Sequence, residues 1–262
     1  MGQSGTARTR ERWARGLRDE GRALVVALQF MTRLPLPAVA FRPALLARAA
    51  LYFPAVGLVV GALGAAAYLL AALLWPPEVA AALAIMAMLL ATGAFHEDGL
   101  ADTADGLGGG WTVEDKLRIM RDSRIGSYGS LALVATLLLK FAVLGSLAPD
   151  TVPTALLLSQ MLGRWSTLPL VGVMPYVGGG SGRPLAEGIA PARIAAGTVF
   201  ALLVAGVMAP QQWVALAALS ALAVAASGWL FRRQLGGITG DTLGAANPAR
   251  ELLVLLAFAV HD

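Results

Sequence analysis

The stretch FHEDGLADTADGLGGGWTVEDKLRIMRDSRIGSYG, residues 95 to 129, interrupts two long apolar runs and holds seven of the chain's sixteen acidic residues. Clustered carboxylates repel one another unless a positive partner sits among them. Asp98, Asp102 and Asp105 are spaced by four and then three residues. At about 100° per residue a helix carries all three on one stripe, about 60° wide. Gly106 and Gly108 to Gly110 predict the end of that helix, which puts the triplet in its last turns, where the macrodipole disfavours anions. Three hard oxygen donors on one stripe suit Mg²⁺ or Mn²⁺ better than zinc. The competing reading is a solvated acidic face.

Outward from this stretch the chain reads as membrane. It has 262 residues, of which 57% are hydrophobic and 14% charged; its mean hydropathy is +0.69. Soluble domains carry about 25% charged residues. The absence of cysteine excludes disulfides, thiolate catalysis and Cys-zinc sites. The net charge of +4 arises largely from Arg8, Arg10, Arg12, Arg15, Arg18 and Arg22, and is not a nucleic-acid signal. No cleavable signal peptide is expected. Residues 1–22 read as a basic arm, helical by Trp13. Ala23 to Phe30 is too short to span and predicts an interfacial helix, ended by Pro35 and Pro37.

Spans are expected at Leu51–Trp75, Val79–Phe95, Ser130–Ala148, Thr151–Met174, Ile194–Ala209 and Trp213–Phe231. Gly57, Gly61 and Gly64 would permit close helix packing in the first. Leu252–Val260 is a short closing span or a segment packed on the bundle. The fold class is therefore an all-α, polytopic membrane helix bundle of about six to seven spans, with residues 23–262 as one catalytic domain. The turns Pro76–Glu78, Pro149–Asp150 and Pro210–Gln212 contain no Lys or Arg. Loops 96–129, 175–193 and 232–250 hold nine of the fourteen basic residues after Arg22. The positive-inside rule then puts the N-terminus and all three loops in the cytoplasm.

Other candidates each have two readings. Asp122 is a metal ligand or general base, or else an ion-pair partner of Arg118 or Arg121; Arg124 and Gly126 beside it resemble a phosphate grip. A helix from Val113 to Met120 is expected, capped by Thr112 with Asp115 three residues on. His96 is a base, a hydrogen-bond donor that binds phosphate, or a membrane-interface histidine. Lys140 and Arg164 lie within spans, and such charges face a cavity or a partner. Arg164 either contacts a substrate phosphate or forms a structural ion pair. Asp241, the lone acid of the glycine-rich loop 235–248, is a binding candidate, and Glu251 a weaker one.

The motifs resemble one family, cobalamin synthase (adenosylcobinamide-GDP ribazoletransferase), over nearly the whole chain. They are Phe30 with Thr32-Arg33-Leu34-Pro35, Phe53-Pro54-x-x-Gly57, His96-x-Asp98-Gly99-Leu100-Ala101-Asp102-Thr103-x-Asp105-Gly106, Arg121-Asp122-Ser123-Arg124-Ile125-Gly126-x-Tyr128-Gly129, Gly163-Arg164, Pro175-Tyr176 and Gly237-x-Thr239-Gly240-Asp241-x-x-Gly244-Ala245. Three positions depart. Glu97 stands where an apolar residue is common, Val177 where Arg is frequent, and Pro248 where an acid is usual.

The resemblance implies that a ribose hydroxyl of α-ribazole, or of its 5′-phosphate, attacks the cobinamide-side phosphorus of adenosylcobinamide-GDP and GMP leaves. It implies Mg²⁺ on Asp98, Asp102 and Asp105, proton transfer to Asp122 or His96, and substrate contacts from Arg121, Arg124, Arg164 and Asp241. It also implies residence in the bacterial inner membrane, within the lipid bilayer, with small-molecule substrates and no nucleic-acid partner; a homo-oligomer is compatible with it. Two alternatives differ in class. A CDP-alcohol phosphotransferase predicts an Asp-x-x-Asp-Gly-x-x-Ala-Arg pattern, which this chain lacks. A cation-coupled transporter predicts acids at mid-bilayer rather than at a span end.

Overall fold

A computed structural model describes residues 3–40, 42–179 and 182–260, with side chains from residue 16 onward. The side chains of Arg8, Arg10, Arg12 and Arg15 lie outside the described residues. The described chain is helical, and its one β-bridge joins Tyr176 to Ile238.

Helix α1 runs unbroken over Gln3–Met31, so the expected boundary at residue 22 falls inside it. Its later turns bury Ala23, Val26, Ala27 and Met31. Glu20 fastens α1 to the bundle by accepting hydrogen bonds from Arg48 (2.9 Å), Tyr52 (2.7 Å) and Arg193. Helix α2 (Pro43–Ala49) continues through one tight turn into α3 (Phe53–Ala71).

The glycines of α3 act as the sequence predicts. A Cβ on Gly61 would lie 2.7 Å from Leu157 Cα, and one on Gly57 would strike the Gln160 carbonyl. The two backbones therefore meet where α3 packs on α8 (Val152–Trp165). Gly64 makes the corresponding room for Met88 of α4 (Pro77–Thr92).

The chain then turns sharply. Gly93 (φ 66°) and Ala94 (φ 56°) are both left-handed, and α5 (Phe95–Gly109) leaves at 88° to α4. A left-handed non-glycine residue is strained by about 1–2 kcal/mol. The segment after α1 lies over this bend, with the Arg33 amide donating to Ala91 O (2.7 Å). That packing gives the Thr-Arg-Leu-Pro motif its structural role. We read α4 as the membrane crossing and α5 as lying across the end of the bundle.

Helix α6 (Val113–Ile119) follows, with Thr112 as its expected cap, accepting from the Asp115 amide at 3.1 Å. Next come α7 (Ser127–Ser146), α8, α9 (Thr167–Val173), α10 (Arg183–Gly188), α11 (Pro191–Met208), α12 (Trp213–Leu235) and α13 (Gly240–Ala259). The expected start of the last element at Leu252 is overturned. Thr239 and Thr242 form a capping box that starts α13 twelve residues earlier, and Pro248 lies inside the helix rather than ending a loop.

Among the described residues four stretches are long and apolar enough to cross a membrane: Pro43–Ala71, Ser127–Ser146, Pro191–Met208 and Trp213–Leu235; counting the bent pair α4–α5 as one span gives five. The chain is a multi-pass membrane protein. The six to seven spans expected include α8, cut short at Trp165, and the region of α13, which carries Asp241, Arg250 and Glu251.

A buried ionic group ties four helices together. Lys140 Nζ (α7) lies 2.6 Å from Glu251 Oε2 (α13) and 3.5 Å from Glu97 Oε1 (α5). Arg164 Nη1 (α8) lies 3.4 Å from Glu251 Oε1 and donates to Gln160 Oε1 at 2.7 Å. Two cations face two anions, all nearly inaccessible, so the group is neutral. Removing one member strands a charge, at about 3–5 kcal/mol. Lys140→Met should therefore lower stability by about that amount, read as loss of the folded fraction in denaturant. Adding Glu251→Gln should recover part of the loss. A simple sum of the two single effects would show that the pair is not coupled.

Candidate functional site

The site is built where α5 crosses α13. Gly99 and Gly244 bring the two helices together: a Cβ on Gly99 would sit 2.9 Å from Asp241 O and 3.1 Å from Gly244 Cα. This approach sets Asp98 and Asp102 of α5 near Asp241 in the first turn of α13. The loops gather at the same end. Val177 N donates to Ile238 O and Ile238 N to Pro175 O, each at 2.9 Å, and Lys116 Nζ donates to Gln234 Oε1 at 2.6 Å.

Burial, and then the charges of Asp98, Asp241 and Asp105, push Asp102 up to about 6. Asp241 is also raised, chiefly by burial and then by Asp98, with Arg121 opposing. Arg121 is exposed and makes no ion pair among the described residues. Asp98, Asp102, Glu97 and Arg33 line an open cavity of about 630 Å³, with Ser123 and Ile125 on its far wall.

The placement of the triplet differs from the expectation in two ways. Its first member does not lie in the last turns of a helix. The break at Gly93 and Ala94 starts α5 afresh, so Asp98 is in its first turn, where the macrodipole favours an anion; the helix ends at Gly109, among the expected glycines, with Asp105 near that end. The stripe is also shared between two neighbours. Asp105 is buried and faces α7, accepting from Gly126 N (2.7 Å) and Gly129 N (2.8 Å). It thus caps the start of α7 from another helix. Gly126 and Gly129 are glycines because a Cβ on either would strike that carboxylate. Gly126 serves Asp105 here, where the sequence reading set it in a phosphate grip.

The other candidates are dispersed. Asp122 and Arg124 pair at the surface, with Arg124 Nη2 2.6 Å from Oδ2 and Nε 3.0 Å from Oδ1. The guanidinium holds Asp122 at about 2. Arg164 lies in the ionic group described above, 1% exposed, the arrangement of a structural ion pair. His96 is buried, packs edge-on against Phe95 at 5.2 Å, and lines a pocket of about 20 Å³ beside Lys140 and Arg164.

Sequence reasoning missed Arg33 as a site residue; its signal was the Thr-Arg-Leu-Pro motif, noted only as a family mark. It also missed that Asp241, not Asp105, would be the acid facing Asp98.

Asp98, Asp102 and Asp241 offer the hard oxygen donors a divalent cation takes, and Asp102 and Asp241 are raised by burial and then by their acidic neighbours. Among the described residues no three acidic or histidine side chains form a finished metal cage. The donor chemistry therefore fits, and the arrangement is open.

The two carboxylates of one stripe should respond oppositely to neutralisation. The folded pKa of Asp102 is above its ordinary value of 3.8. The folded state therefore binds the proton more tightly, and stability falls as pH rises from about 4 through 6. Asp102→Asn should raise the thermal midpoint in metal-free buffer above pH 6 and flatten this dependence. Asp105→Asn removes an acceptor from two buried amides and should cost about 1–3 kcal/mol. Thermal scans of both variants from pH 4 to 8 decide it; a lowered midpoint for Asp102→Asn at pH 7.5 would contradict the charge assignment.

Residues 23–259 match the model of the cobalamin-5-phosphate synthase family. Among curated relatives, an adenosylcobinamide-GDP ribazoletransferase of Shewanella pealeana is 45% identical over 247 residues, covering 90% of this chain and 93% of the relative. The protein of that name from Ralstonia nicotianae is 44% identical over 249 residues, covering 91% and 95%. No solved structure matches the chain. With a match across nine-tenths of its length, the chain belongs to the cobalamin-5-phosphate synthase family.

Proposed function

We propose that the chain transfers the cobinamide-phosphate moiety of adenosylcobinamide-GDP to α-ribazole or its 5′-phosphate and releases GMP, with Mg²⁺, at the cytoplasmic face of the bacterial inner membrane. The observation that carries this reading is the pair of carboxylates, Asp98 and Asp102, on the open cavity, with Asp241 of α13 close beside them. The names of the relatives give the substrates.

A ribose hydroxyl of the acceptor attacks the cobinamide-side phosphorus. The bond from that phosphorus to the bridging oxygen breaks, and GMP departs with the electron pair. Mg²⁺ held by Asp98 and Asp102, with Asp241 or Asp105 behind them, would neutralise the pyrophosphate. Arg33 and Arg121 stand close enough to the carboxylates to add positive charge.

The hydroxyl proton goes to Asp122 or His96. At about 2, Asp122 is a poor acceptor while Arg124 holds it. If Arg124 moves to a substrate phosphate, the Asp122 carboxylate loses its largest stabiliser and becomes a stronger base. Arg164 would act through Glu251 and Gln160, keeping α8 and α13 in register.

The reading is tested by GMP release from purified protein given both substrates. Release should require Mg²⁺. Asp98→Asn and Asp102→Asn should each abolish most of it, and the double variant should be little worse, because ligands of one ion act as a unit. Mg²⁺ should also raise the thermal midpoint of the parent and not of Asp102→Asn. Near-parental release by Asp102→Asn with an unchanged Mg²⁺ requirement would overturn the metal assignment.

The orientation has its own test, clean because the chain has no cysteine. Single cysteines at Ser127 and Gly179 should resist a membrane-impermeant thiol reagent in intact cells and react after permeabilisation. Labelling of either from outside would refute it.

A further inference from the structure

Beside the open cavity lies a second, smaller hollow of about 120 Å³, between α1, α3, α5, α10 and the start of α13. Asp98 lines both. The two differ in character. The larger has Arg33, Glu97 and Asp102 in its wall. The smaller shares Phe30 and Phe95 with it and adds Met31, Phe53, His96, Leu185 and Leu243, so that no cationic side chain among the described residues lines it. Phe30 and Phe53 lie parallel at 6.0 Å, with 9° between their planes, while Phe95 meets Phe30 edge-on at 5.5 Å. Asp241 stands at its polar margin.

We propose that this hollow is the subsite for the base of the acceptor nucleoside, a flat, uncharged aromatic heterocycle, and that Asp98 marks the boundary where the acceptor's ribose hydroxyl meets the phosphorus. The assignment rests on the transfer reaction proposed above and says which substrate goes where.

Size is the first argument. An apolar cavity of about 150 Å³ holds one benzene ring. A hollow of about 120 Å³ is of that order, enough for the leading ring of a flat heterocycle whose fused second ring stays at the mouth, and far too small for a corrinoid. The corrinoid nucleotide diphosphate, large and anionic, is left to the cavity of about 630 Å³ that bears the charged side chains.

Ring chemistry is the second argument. Phenylalanine rings in parallel and edge-on orientations offer both a face and an edge to an inserted ring, and such contacts contribute beyond area burial. A phosphate or sugar gains nothing there and loses hydration.

Connectivity is the third argument. In-line displacement needs the attacking hydroxyl opposite the leaving GMP at the phosphorus, so the acceptor must reach the phosphorus from outside the chamber that holds the nucleotide, and Asp98 is shared by the two chambers.

The test uses full-length protein in detergent and a probe without sugar or phosphate, 5,6-dimethylbenzimidazole. It should raise the thermal midpoint of the parent. It should inhibit competitively against α-ribazole and not against adenosylcobinamide-GDP. Leu185→Phe, which narrows only the small hollow, should abolish the midpoint shift. It should also raise KM for α-ribazole about tenfold or more, the scale on which small steric changes in an apolar pocket discriminate, with KM for adenosylcobinamide-GDP held within about twofold.

Competition against adenosylcobinamide-GDP, no midpoint shift in the parent, or a KM change confined to the cobinamide substrate would each overturn the assignment. If Leu185→Phe fails to fold, the parent's shift and inhibition pattern decide it. A midpoint shift without any GMP release from the parent would sustain the aromatic subsite and sink the transfer reaction.

Discussion

Three buried charged side chains, joined by Glu97 from the wall of the open cavity, constrain this molecule more than any other contact. Lys140, Glu251, Arg164 and Glu97 come from α7, α13, α8 and α5, and each would be costly in a low-dielectric interior without the others. Apolar packing between membrane helices is permissive about rotation and sliding, since lipid tails are as apolar as leucine. Charge pairing is not. It sets the rotation of α13 against α5, and that crossing places Asp241 near Asp98 and Asp102. Glu97 precedes Asp98 in the chain, so the first turn of α5 is anchored on its inner side by Lys140 and presents its acid on the outer side.

The same helix carries the local departures from what the chain would otherwise prefer. It begins after two left-handed residues, one of them alanine, and it holds Asp102, which burial and then the neighbouring acids lift to about 6. Strain and unmatched charge confined to one short element, within a bundle otherwise closely packed through glycines, indicate where stability was given up for chemistry.

Much of this was legible in the residues. The apolar runs, the prolines in the short turns and the glycines of α3 dictated helices and their close approach, and the spacing from Asp98 to Asp105 did put the acids on one stripe. Thr112 and Asp115 announced α6. What was not legible depends on partners distant in sequence. Nothing local says that Asp105 would turn to the amides of Gly126 and Gly129, or that Arg164 would meet Glu251. The bend at Gly93 and Ala94 reversed the polarity argument for Asp98, because alanine gives no sign of a left-handed backbone. Pro248 read as a terminator, yet it sits within α13, where tertiary packing overrides propensity.

The carboxylate of Asp105 at the start of α7 has a consequence for how the substrate is held. A helix N-terminus with small residues is a ready seat for a phosphate. Here an internal anion has taken that seat. On the reading proposed above, the pyrophosphate would be met by countercharge on exposed guanidinium groups such as Arg121 and by a dissociable cation, not by the amides at the start of α7. Attraction of that kind is screened by dissolved ions, over about 8 Å at physiological ionic strength. Capture of the anionic substrate would then depend on the electrolyte at the membrane surface as well as on the shape of the cavity.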